Sequence, residues 1–210
     1  MLDEIGLFPL ELVVLPTERI PLHVFEDRYR ELIGECMRTG GEFGLVLSSA
    51  EGLAEIGTRT AVTRLLQRLP DGRMNVVVEG RGRFRLVELT EGRSFQTAEV
   101  EPVEDEDDPP QDDEVERAVE IFRRLVEMTE TEVDEPDLDS PQLSFELAAR
   151  IDFGNELKQE LLELTSPRER VVRLTELLER AAEAIELEGE VRERASRNGK
   201  VTPLKPDDPG

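Results

Sequence analysis

The chain has one cysteine, one histidine and three lysines among 210 residues, and each scarcity removes a class of chemistry. Cys36 alone cannot build an internal disulfide framework, and its isolation suits a reducing, cytoplasmic setting. One histidine beside one cysteine argues against a transition-metal site, so neither metal nor cofactor is expected. His23 lies between Leu22 and Val24 with no nucleophile in its segment, which favours a structural role over general-base catalysis. The lysines are Lys158, Lys200 and Lys205, and no serine has a plausible lysine partner in a folded site. Gly199-Lys200 does not complete a phosphate-binding loop. Arg194 stands where the first glycine is required, and Val201 replaces the Ser or Thr that holds magnesium. Long apolar runs are missing too. The start, Met1-Leu2-Asp3-Glu4, has no basic region and Glu11 interrupts the nearest apolar run, so neither a signal peptide nor a membrane span is expected.

Acid is what the chain has in excess. Asp and Glu number 49 against 26 Lys and Arg, a net charge of −23. The imbalance is uneven: residues 1–100 carry a net −4 and residues 101–210 a net −19. Such a surface repels nucleic-acid phosphate and anionic lipid, whose binding depends on neutralisation by cations. Residues 101–113 hold eight carboxylates, two consecutive prolines and no positive charge. A run of that kind does not bury itself and reads as a linker. It lacks the glycine turn and ligand spacing of a calcium loop. Gly80-Arg81-Gly82-Arg83-Phe84-Arg85 starts like a dinucleotide fingerprint, but Arg85 replaces the third glycine and no helix follows. Period-two spacing instead predicts Arg81, Arg83 and Arg85 on a solvent face opposite Phe84 and Leu86.

Short strands fill the first hundred residues. Two apolar runs, 7–10 and 12–15, end at Pro9 and Pro16, which suits strand ends or edges because proline removes a ladder donor. Pro21-Leu22-His23-Val24-Phe25 is a second extended approach. Tyr29, Leu32, Ile33, Cys36 and Met37 then recur at helical spacing, predicting a helix at about 26–38 closed by Thr39-Gly40-Gly41. Residues 43–48 form an apolar strand. Pro70-Asp71-Gly72 marks a hairpin between strands at 58–69 and 73–79, since Asp-Gly accepts positive φ. Residues 83–89 and 95–100 follow as strands. Beyond the acidic run the period becomes helical. Val115, Val119, Phe122 and Val126 make one stripe, and Val171, Leu174, Leu178, Ala181 and Ile185 another. Ser140-Pro141 and Ser166-Pro167 both read as a helix cap followed by proline at the first helical position. Glu169 fits a capping box with Ser166.

The ordered set of LFPL, VVLP and PLHVFEDRY between Leu7 and Tyr29 resembles the amino-terminal substrate-binding domain of the Lon protease family, especially its stand-alone members. The likeness continues through residues 43–47, Ile56-Gly57-Thr58, the Leu69-Pro70-Asp71-Gly72-Arg73 turn and residues 76–84. It resumes at Lys158-Gln159-Glu160-Leu161-Leu162-Glu163-Leu164, covering roughly residues 5–185 in family order. Asp27 departs from the pattern, which usually carries proline there; either residue opens a helix. The resemblance implies an α+β protein: a small PUA-like β-barrel with one packed helix, followed by an α-helical bundle. The expected units are a β domain at 1–100, the acidic linker at 101–113, a helical domain at 114–190 that covers or orients the barrel, and a disordered tail at 191–210.

Full Lon proteases carry an ATPase module and a Ser–Lys protease module, and neither signature is present here. The implied function is therefore non-catalytic binding of polypeptide segments, apolar or unfolded, with no nucleic-acid or membrane partner. Pro21, Leu22, Phe25 and Tyr29 are the candidate peptide contacts, because they sit where strand passes into helix. PUA-like barrels also occur in RNA-modifying proteins, so an RNA-binding module is the alternative, opposed by the charge and the missing basic stripe.

Overall fold

Leu69-Pro70-Asp71-Gly72 turns the chain between its two longest strands, with Gly72 at φ 88° and its amide donating to Leu69 O at 3.0 Å. A computed structural model describes residues 2–129 and 133–198. The elements run β1 (Asp3–Leu10), β2 (Arg19–Val24), α1 (Asp27–Thr39), β3 (Glu42–Ser49), β4 (Gly52–Leu53), β5 (Ile56–Arg68), β6 (Met74–Thr90), β7 (Thr97–Val103), α2 (Asp112–Thr129), α3 (Leu143–Ala148), α4 (Gly154–Glu163) and α5 (Pro167–Asn198). The strands expected at 73–79 and 83–89 are one strand, β6.

Five strands close on themselves. β1 pairs antiparallel with β7 at residues 3–6 and parallel with β3 at residues 7–10. β7 joins β6, β6 joins β5 and β5 returns to β3. Closure satisfies backbone donors and acceptors that an open sheet would expose at its edges. Ile5, Leu7, Val46, Phe84, Ala98 and Val100 fill the interior. The barrel is narrow, and Phe84 fits because Gly57 faces it: a Cβ there would lie 2.5 Å from the ring. β2 stands outside the ring and pairs only with the first half of β6. α1 covers the inward side of that extension, burying Tyr29, Leu32, Ile33 and Cys36 as its spacing predicts, and it ends at Gly40 with φ 69°.

The helices form one core from the stripes on α2, α3, α4 and α5, and Val13, Leu15 and Ile56 of the β part belong to the same cluster. Arg117–Glu179 and Arg124–Glu186 ion pairs advance together, so α2 and α5 run parallel. Parallel neighbours need a long return path, which α3 and α4 occupy. Ser166 caps α5 as expected, accepting the Glu169 amide at 3.0 Å, while its hydroxyl donates to Asp108. Ser140 behaves differently. Helix α3 begins at Leu143, and Ser140 Oγ accepts the Gln142 amide in a preceding turn.

Three other expectations meet a different structure. Residues 12–15 form no strand; Val13, Val14 and Leu15 are buried in a connection whose polar groups are held by Asn155 and Glu18. Residues 101–113 are divided among elements: 101–103 complete β7, Asp105, Glu106 and Asp108 bond to the helical part, and Asp112 and Asp113 open α2. Helix α5 extends through Asn198, into the stretch expected as a tail, and residues 199–210 lie outside the described residues.

Arg83 is the clearest correction. Expected in solvent, it is buried and spans the two parts of the molecule. Its guanidinium donates to Leu162 O at 2.9 Å and Leu164 O at 2.7 Å, and pairs with Asp105. Arg170, fully buried on α5, donates to both Asp105 oxygens and to Ser144 Oγ. Phe145 lies against both cations, 4.1 Å from Arg170 and 5.6 Å from Arg83. Burial pushes the Arg83 guanidinium below its ordinary value, and the neighbouring Arg170 charge adds to the effect while Asp105 opposes it. Period two chose the face correctly, but helices cover that face.

Candidate functional site

The extension formed by β2, the first half of β6 and the second half of β5 presents one uncovered face. Strand alternation sends Leu22 and Val24 inward and Pro21 and His23 outward, with Phe25 following on the same side. The cross-strand register sets Pro21 beside Val77 and Arg64, and His23 beside Asn75 and Gln67. The second row is a polar ladder: His23 Nδ1 lies 2.6 Å from Asn75 Oδ1, and Asn75 Nδ2 donates to Gln67 Oε1 at 3.3 Å. The His23 and Phe25 rings lie 5.9 Å apart, nearly parallel.

The four candidate contacts therefore separate. Pro21 and Phe25 are at the surface, Phe25 with 58 % of its area exposed. Leu22 and Tyr29 are interior, at 8 % and 6 %. Tyr29 stacks on Phe8 with ring centroids 4.0 Å apart, and burial pushes its phenol above the ordinary value. The division follows from two periods: β2 alternates, and the α1 stripe starts at Tyr29. Val77 is the neighbour that sequence reasoning missed. Its place in an apolar triplet suggests coverage on both faces, yet only Val76 and Val78 are buried.

This face holds few groups suited to bond-making. His23 has an amide partner rather than a nucleophile. Cys36 lies on the buried face of α1, and burial pushes its thiol up to about 11, leaving almost no thiolate near neutrality. Lys158 is committed to Glu18 at 2.6 Å, and Lys200 and Lys205 lie outside the described residues. Among the described residues no group of three or more His, Cys, Asp or Glu side chains is placed to hold a metal ion. No described helix is long and apolar enough to cross a membrane. Of the clustered arginines, Arg81 pairs with Glu79 at 2.7 Å, Arg85 with Glu55 and Glu101, and Arg83 is interior. They form no open cationic stripe.

The family model for the ATP-dependent protease La (LON) substrate-binding domain matches residues 4–180. The Lon protease of Parabacteroides distasonis is 26 % identical over 211 aligned positions that cover 90 % of this chain and 25 % of that protein. Lon protease 1 of Bacillus subtilis is 22 % identical, covering 92 % of this chain and 27 % of its own length. The chain thus spans about a quarter of the length of these curated relatives. Among solved structures, a Lon N-terminal domain protein from Xanthomonas campestris superposes with a TM-score of 0.65 at 28 % identity, covering 82 % of this chain and 96 % of that one. The N-terminal domain of a Mycobacterium avium complex Lon protease has the same fold, with a TM-score of 0.63 at 17 % identity over 84 % of this chain and 98 % of that one.

Proposed function

The chain belongs to the LON substrate-binding domain family, and from that premise we propose that it is a cytoplasmic, non-catalytic module that binds exposed apolar or unfolded polypeptide segments. The observation that carries the reading is Phe25, a large aromatic side chain exposed next to Pro21, His23 and Val77 on a face that, among the described residues, no other element covers. Burying the 58 % of Phe25 that is exposed removes roughly 90–145 Å² of apolar area from water, enough to anchor a weak, sequence-tolerant contact. Leu22 and Tyr29 contribute from beneath by holding β2 and α1 in place. His23, whose Nδ1 meets Asn75 rather than a nucleophile, and the buried Cys36 support binding without turnover. The pairing of Arg81 and Arg85 with carboxylates, and the interior position of Arg83, speak against RNA.

A fluorescent-peptide screen against the full chain tests the proposal. Apolar segments are expected to bind, and Phe25→Ser is expected to weaken them by about tenfold with little change in stability. Binding no better than to an unrelated acidic protein of similar size sinks it. Salt-sensitive retention of mixed RNA on nitrocellulose would favour the RNA module instead.

We also propose that the acidic run marks the boundary between a β unit and a helical unit. A Glu-specific protease is expected to cut first within residues 101–113. First cleavage elsewhere would count against that boundary.

A further inference from the structure

On the far side of β6 from β2, the second half of β5 is an open sheet edge. Its β3 partner stops at Glu42, opposite Ala61, while β6 continues beside it to Arg68. Among the described residues nothing pairs with the other side of residues 62–68, and 63–68 are all exposed. Two register shifts, at Val62/Arg64 and Leu65/Gln67, leave Thr63 and Leu66 as extra residues against β6. An inserted residue breaks alternation. Both leucines consequently reach solvent, Leu65 at 40 % and Leu66 at 49 %.

The charge here runs against the rest of the molecule. Residues 58–69 contain no Asp or Glu, in a chain that has 49. Arg64 and Arg68 flank the leucines, and among the described residues neither guanidinium has an ion pair or hydrogen bond. Elsewhere on the same hairpin, Arg59 pairs with Asp3, Arg73 with Asp71 and Arg81 with Glu79. The edge therefore offers unpaired backbone groups, two apolar side chains and two uncommitted cations within six residues.

We propose that residues 63–68 of β5 accept an extended client polypeptide as an added strand, selecting an apolar segment flanked by acidic side chains. The proposal rests on the peptide-binding reading but assigns it a different strand and a stated chemistry. Backbone pairing supplies sequence-tolerant affinity, and side chains on alternate positions supply preference. The leucines cover the apolar centre, and Arg64 and Arg68 take the flanking carboxylates. A second copy of this chain is the poorer occupant. Antiparallel self-pairing of the edge brings Arg64 toward Arg68 of the other copy, and like charges across a ladder repel.

The test is fluorescence anisotropy of the full chain with two short labelled peptides sharing a β-branched apolar centre, one flanked by aspartates and one by lysines. The aspartate peptide is expected to bind about tenfold tighter. Arg64→Glu/Arg68→Glu is expected to reverse that order, and Leu65→Ser/Leu66→Ser to weaken both peptides. N-methylation of alternate peptide amides, which keeps the side chains but removes ladder donors, is expected to abolish binding. Phe25→Ser, which removes the anchor of the other face, is expected to leave the preference for the aspartate peptide over the lysine peptide unchanged. Equal affinity for the two peptides, or no response to the arginine reversal, overturns the proposal. Loss of binding in Phe25→Ser alone overturns it while leaving the general peptide-binding reading intact, and loss in neither variant set removes both. A dimer in sedimentation that dissociates on Leu65→Ser/Leu66→Ser would assign the edge to a second copy and also overturn it.

Discussion

The two halves of β6 obey the same alternation and meet opposite fates. In the first half, Asn75 and Val77 face outward and stay partly in solvent, with only β2 and β5 beside them. In the second half, Arg83 is sealed beneath residues from α3, α4 and α5. One half is an exposed surface, and the other is an internal joint. Alternation selects a face; it carries no information about what will lie on it.

The joint depends on one carboxylate. Asp105 is the only acidic group hydrogen-bonded to both Arg83 and Arg170 among the described residues. Asp105→Ala leaves two enclosed cations facing each other and is expected to cost about 3–5 kcal/mol in urea unfolding. Asp107→Ala, in the same acidic run, is expected to change stability by less than about 0.5 kcal/mol. Equal effects would mean that the joint is held by packing alone. In Asp105→Ala, cleavage within 101–113 should also release separate fragments more readily.

The helical part tests the same contrast between covered and open faces. Leu178 is fully buried in the helical core and Arg180 is exposed on the same helix. Leu178→Ala is expected to cost about 2–5 kcal/mol, and Arg180→Ala under about 1 kcal/mol. Similar losses in the two variants would make the charged side of α5 an interface.

Cys36 lies under the extension, where α1 closes it. Its thiol moves from an ordinary 9.0 up to about 11, chiefly through burial. The folded state therefore holds its proton more tightly than the unfolded chain. That stabilisation is complete below pH 9 and is lost as pH rises through about 11, an effect on the order of 2–3 kcal/mol. Tyr29, also raised by burial, adds a loss of the same sign in alkali. Unfolding measured at pH 8 and pH 10.5 should show a shallower decline in Cys36→Ala than in the parent chain. An unchanged slope would place the thiol in contact with water.

The smallest expected effect is a gain. Thr17 has φ 70° in the turn where Glu18 N donates to Leu15 O, and among the described residues its buried hydroxyl has no hydrogen-bond partner. A β-branched residue is strained in that conformation, and Gly80 lets the turn approach: a Cβ there would lie 2.1 Å from Leu15 O. Thr17→Gly is expected to raise stability by about 1 kcal/mol, through relief of strain and of the unpaired hydroxyl. A loss of that size in thermal unfolding would show that the side chain is needed for packing.

Much of this could be read from local pattern. The α1 stripe, the Gly40 cap, the Asp71-Gly72 turn and the Ser166-Pro167 start each arise from interactions spanning a few residues, and each appears where its spacing puts it. The candidate site was legible in part. Phe25 and Pro21 reach the surface, but Leu22 and Tyr29 resembled them only because all four are apolar and adjacent in sequence. Leu65 and Leu66 carried a readable signal, two neighbouring leucines in a polar strand, yet the bulge that exposes both depends on the register with β6.

Short-range physics, then, determined by sequence alone which period most segments follow, where most of them turn, and that acid dominates the second half. Only tertiary structure decided which faces are covered. Asp105 and Arg170 are 65 residues apart, and Arg83, 22 residues before Asp105, reaches it because β6 pairs with β7. Their meeting depends on a closed barrel and on two parallel helices whose return path passes through α3 and α4. No spacing along the chain encodes that encounter, because burial of a charge is settled by the partners that distant segments bring to it.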